Sequence, residues 1–97
     1  MQKAKARAIK QNIDYDLDFN YVYRLYEETK GKCPVLGFKF FSGSRATSAS
    51  IDRLIPERGY IHGNISIISY LANAVRSSAT SEQIRKVADY AASVEKG

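Results

Sequence analysis

Between Ser50 and Ser77 lie Asp52, Arg53, Glu57, His62, Asn64, Asn73 and Arg76, side chains whose chemistry depends on where the fold places them. His62 is the chain's one histidine, and an imidazole with an ordinary pKa of about 6.5 suits proton transfer. Its other reading is an exposed turn residue between Gly59 and Gly63. Glu57 is a turn carboxylate beside Arg58, an arrangement that ordinarily leaves both groups solvated. Arginine stays protonated near neutral pH, so Arg53 and Arg76 can clamp phosphate or offset developing charge but cannot act as general bases. Asp52 taken alone reads as a surface or capping aspartate, and Asn64 after Gly63 as ordinary turn chemistry.

Local patterning supplies elements to gather these groups. Ser50-Ile51-Asp52-Arg53-Leu54-Ile55-Pro56 alternates as a strand that must end before Pro56, because proline cannot donate to a ladder. Two glycine-containing bends follow, Glu57-Arg58-Gly59-Tyr60 and His62-Gly63-Asn64, and Ile65 to Ile68 reads as a second strand. Tyr70, Leu71, Ala74 and Val75 mark a short helix from Tyr70 to Ser77. Strand, long structured loop, strand and helix form the order of a ββα unit over residues 50–77.

Upstream, Asp18 can cap a helix from Phe19 to Lys30, with Gly31 as its left-handed stop. Tyr21, Val22, Leu25 and Tyr26 recur at helical spacing, which assigns the aromatics to the core rather than to a stacking platform. Cys33 opens a Pro- and Gly-punctuated connection and reads as a small buried apolar residue; Phe38 to Phe41 follows as a short strand and Ser42 to Ser48 as a polar loop. Downstream, Thr80 and Gln83 form a capping box for a helix whose stripe is Ile84, Val87, Ala88 and Ala91.

The string Ser50-Ile51-Asp52-Arg53-Leu54-Ile55-Pro56, with Gly59-Tyr60, Gly63-Asn64, Ser69, Ala72-Asn73 and Arg76-Ser77, resembles the HNH-type (His-Me finger, ββα-metal) proteins abundant in bacteriophages. The likeness extends to Cys33-Pro34-Val35-Leu36-Gly37 and to Ala79-Thr80-Ser81-Glu82, so it covers roughly the last two thirds of the chain. It implies an α+β domain whose ββα finger is braced by flanking helices. It also implies a metal-dependent DNA endonuclease or nickase, with Asp52 and Asn73 holding one Mg²⁺ or Mn²⁺ and Asn64 bracing the loop. Hard cations of this kind favour oxygen ligands and keep several waters, so one carboxylate and one amide oxygen can suffice beside a phosphate. Arg53 stands where most of the wider family has its catalytic histidine, which leaves the base open, with His62 a candidate substitute and Glu57 another. That departure opens the alternative of a finger that binds nucleic acid or protein without cutting.

At 97 residues the chain has room for one domain, here divided into a basic arm over residues 1–17 and an HNH-like domain over residues 18–97. Lys3, Lys5, Arg7 and Lys10, with no acidic residue before Asp14, suit phosphate contact, as do Arg53 and Arg76; a net charge of +5 fits a nucleic-acid partner, DNA or RNA. No apolar segment is long enough to span a bilayer, and no apolar h-region follows the basic start, so a cytoplasmic location is expected, that of the host if phage-encoded. One cysteine and one histidine cannot supply a structural zinc site, and a homodimer is compatible with this reading.

Overall fold

A computed structural model describes residues 14–95, so the expected phosphate contacts of Lys3, Lys5, Arg7 and Lys10 lie outside the described residues. The chain is an α+β fold built on a β-hairpin, with helices before and after it. In order, the elements are α1 (Phe19–Glu28), β1 (Ala49–Arg53), a 3₁₀ turn (Pro56–Arg58), β2 (Ile65–Ser69), α2 (Tyr70–Ser78) and α3 (Ser81–Glu95). The ββα order expected from the sequence is therefore present, with β1 and β2 antiparallel and Asp52 opposite Ser66.

Each boundary has a local cause. Asp18 accepts a hydrogen bond from the Tyr21 N–H at 2.9 Å and opens α1. The helix ends at Glu28, short of the expected Lys30, because Lys30 and Gly31 both turn left-handed (φ 57° and 79°). Pro56 closes β1, and Ser69 caps α2 by accepting from the Ala72 N–H at 3.1 Å. Thr80 and Gln83 form the reciprocal capping box, with bonds of 3.0 and 3.2 Å.

Two small cores flank the hairpin. Leu17, Tyr60 and Ile65 form one, covered by Tyr15, Tyr21, Val22, Leu25 and Ile51; Cys33, Ile68 and Ala72 form the other, covered by Phe38 and Phe40. Residues 14–17, which the sequence placed with the arm, strap onto the finger instead. Tyr60 donates to the Asp14 carbonyl at 2.8 Å, Asp16 donates back to Tyr60 at 2.9 Å, and Leu17 is buried. Gly59 makes this approach possible, since it has φ 79° and a Cβ there would run into the Asp14 backbone.

Two elements differ from expectation. Phe38 to Phe41 forms no strand; the segment folds into a tight loop with a single Lys32–Lys39 bridge, turned by Gly37 at φ 86°. In α3 the expected apolar stripe is largely exposed, Val87 at 66%, because the helix packs chiefly against α2. Cys33 is buried as expected, but its sulfur is also a hydrogen-bond centre: Sγ lies 3.3 Å from Ser69 Oγ and accepts from the N–H groups of Leu36 and Ser69. Burial works to raise the thiol pKa, yet these bonds outweigh it and bring it to about 7.

Candidate functional site

The hairpin and α2 bring Asp52, Asn73 and Arg76 to one corner, where they line a cavity of about 60 Å³ with Arg53 and Ser77. Asp52 is 4% exposed. Burial pushes its carboxyl above the ordinary range, against the lowering influence of Arg76, Arg53 and the Ser66 hydroxyl. Arg76, one helical turn beyond Asn73, fastens α2 to the end of β1. Its Nη1 donates to Asp52 Oδ1 at 2.8 Å and to the Arg53 carbonyl at 3.0 Å, and its Nη2 donates to the Leu54 carbonyl at 2.8 Å.

Asn73 is tied to the same junction. Its Nδ2 donates to Ser50 Oγ at 2.9 Å and to the Ile51 carbonyl at 3.3 Å, while its Oδ1 accepts from Ser77 Oγ at 3.1 Å. As arranged, this pair does not fit a divalent cation. The buried carboxylate already carries a guanidinium, whose positive charge occupies the ground a cation would need. Among the described residues, no three His, Cys, Asp or Glu side chains stand together as metal ligands.

Arg53 folds back over its own loop, donating from Nη1 to the Pro56 carbonyl at 3.2 Å with its guanidinium 5.0 Å from the centre of the Tyr60 ring. His62 belongs to a different cluster, at the N-terminus of α1. Its ring stacks on Tyr21 with centroids 3.9 Å apart, its Nε2 lies 3.4 Å from Asp18 Oδ2, and its backbone N–H donates to Asp16 at 2.8 Å. Asn64, in contrast, is a brace: Oδ1 accepts from the Ile55 N–H at 3.0 Å, and Nδ2 donates to the carbonyls of Ile55 at 2.9 Å and Gly59 at 2.7 Å. A buried amide with these three bonds holds the loop between the strands closed.

Sequence reasoning missed a broad groove between α1 and the finger, of about 1090 Å³. Phe19, Tyr23 and Tyr26 line it beside Val22, so Tyr26, expected in the core, stands 38% exposed at the groove while Tyr21 and Leu25 take the core side of α1. A finer division of the helix face was the available signal: Phe19, Tyr23 and Tyr26 recur at i, i+4 and i+7, offset from the Val22–Leu25 stripe.

No family model and no solved structure matches the chain. Over 84 residues it is 27% identical to the "Uncharacterized 29.0 kDa protein in dda-modA intergenic region" of Enterobacteria phage T4, a match that takes in 87% of this chain and 33% of that protein. The chain thus spans about a third of the length of this curated relative. No helix among the described residues is long and apolar enough to cross a membrane.

Proposed function

We propose that the chain is a nucleic-acid-binding ββα-finger domain of the phage HNH type, in which the finger serves as a scaffold for binding rather than for metal-dependent cleavage. The observation that carries this reading is the Arg76–Asp52 pair, an internal cation on the one carboxylate that the family resemblance assigns to a metal. Hydrolysis of a phosphodiester also needs a group to activate water. Arg53 cannot take that proton, and His62 is engaged with Tyr21 and Asp18 at the far end of the loop.

Charge supports a polyanionic partner and indicates where contact is made. All ten acidic residues lie between Asp14 and Glu95, where ten Lys and Arg balance them. The +5 excess is carried by Lys3, Lys5, Arg7, Lys10 and Lys96, so the cluster at residues 3–10 is the main basic run available to a phosphate backbone. The likeness to a phage protein supports a phage setting.

The test is fluorescence anisotropy with labelled DNA and RNA across a salt series, in Mg²⁺ and in chelator. Binding should weaken steeply with salt, be indifferent to the metal, and lose much of its salt slope when Met1 to Lys10 is removed. Absence of binding to every strand at low salt would refute the reading.

A further inference from the structure

We propose that the groove between α1 and the finger is a stacking site for unpaired nucleobases, so that the ligand is single-stranded nucleic acid rather than closed duplex. This inference rests on the nucleic-acid-binding reading and goes beyond it by naming the form of the ligand.

Four aromatic rings reach the groove while keeping much of their surface in solvent: Phe19 (66% exposed), Tyr23 (50%), Tyr26 and Tyr70 (38% each). Phe19 and Tyr23 are already parallel, with centroids 5.7 Å apart and planes at 15°. The Arg45 guanidinium lies 4.6 Å from the Tyr70 ring centre, leaving its outer face as one more plane for a base. Such rings offer a flat apolar surface to any base but nothing to a duplex, whose bases are stacked on one another.

Charge favours the same occupant. Arg45 lines the groove and no Asp or Glu does, although the described residues as a whole are balanced in charge. Ser48, Ser50, Asn73 and Ser77 also line the groove; they are bonded within the protein, Ser48 to the Arg45 carbonyl and Asn73 to Ser50 and Ser77, and their hydroxyl oxygens keep lone pairs that can accept from a sugar or a base edge. A volume of about 1090 Å³ exceeds the about 300–1,000 Å³ of small-molecule pockets, and the groove is open, as an extended strand requires. It adjoins the Asp52 corner, with Ile51, Tyr60, Asn73 and Ser77 lining both.

The experiment compares an oligothymidylate, an abasic-backbone strand of equal length and charge, and a blunt duplex, by anisotropy with the full chain. The oligothymidylate should bind about tenfold tighter than the abasic strand, within the range that one stacked base contributes. The double variant Tyr23→Ala/Tyr70→Ala should erase that preference, so that it binds oligothymidylate and the abasic strand equally. In the unsubstituted protein, which has seven Tyr and no Trp, tyrosine emission should be quenched by oligothymidylate and not by the abasic strand, a readout independent of how the variant folds. Equal binding of the two strands without quenching would overturn the stacking site while leaving nucleic-acid binding intact. No binding of any strand would overturn both readings. Self-association abolished by the same two substitutions would put a second copy in the groove and overturn this inference alone.

Discussion

Nη1 of Arg76 lies 2.8 Å from Oδ1 of Asp52, joining α2 to β1 through a carboxylate that is almost wholly buried. The same guanidinium caps the carbonyls of Arg53 and Leu54 as the chain leaves the strand. The pair is a joint of the finger.

Arg76→Ala strands the Asp52 carboxylate and two carbonyls. Removing one member of a fully buried pair typically costs about 3–5 kcal/mol. The Arg76 side chain is 45% exposed, so water can replace part of what is lost, and about 1–3 kcal/mol is expected. Urea denaturation of the parent and the variant checks this. Asp52→Ala should also destabilise, and any loss of function in that variant must be read against its stability.

The pH dependence of Asp52 has a definite sign. Burial, outweighing Arg76, places its folded pKa above the ordinary 3.8, so the folded state holds this proton more tightly than the unfolded chain. The group's contribution to folding is full below 3.8 and is lost as pH rises through the raised value. Across that window the parent should therefore lose stability relative to Asp52→Asn, as measured by denaturant midpoints at stepped pH. A parent that gains on the Asn variant as pH rises would mean that the Arg76 pair outweighs burial.

The loop between the strands should be the most substitution-sensitive part of the finger. Asn64→Ala removes three hydrogen bonds and leaves the Ile55 N–H without its partner, costing about 1–3 kcal/mol. Gly59→Ala forces a side chain into left-handed backbone against Asp14, costing about 1–3 kcal/mol. Thermal midpoints of both variants test this, and an unshifted Gly59→Ala would show that the 14–17 strap does not dock here.

His62→Ala should behave as a structural change at the α1 terminus. Loss of the Tyr21 stack is worth about 0.5–1.5 kcal/mol, and nucleic-acid affinity should be unaltered. A tenfold loss of affinity at unchanged stability would give His62 a direct role.

The hairpin and helix were legible because local rules agree there: alternation in β1, the stop at Pro56, the Ser69 cap and the Thr80–Gln83 box each act within a few residues. The three bonds of Asn64 are also short in range, since they run to Ile55 and Gly59, nine and five positions earlier. What the sequence did not disclose depends on long-range partners. The use of Arg76 is set by a residue 24 positions earlier, and that of His62 by Tyr21, 41 positions earlier. Tyr26 was assigned to the core with Tyr21 but is half-exposed, because one helix carries two adjacent stripes and only packing decides which is buried.

The most direct test of the central claim is incubation of the full chain with supercoiled plasmid and with single-stranded DNA in Mg²⁺, in Mn²⁺ and in chelator, reading binding and product together. Arg53→His serves as a companion that places an imidazole where the resemblance to HNH-type proteins would put a base. Binding without cutting, equal in metal and chelator for both proteins, is the result that the Arg76-closed corner predicts. Relaxed, linear or shortened product that requires Mg²⁺ or Mn²⁺ and disappears in Asp52→Asn would contradict it, because Asp52 would then have to give up Arg76 for a cation.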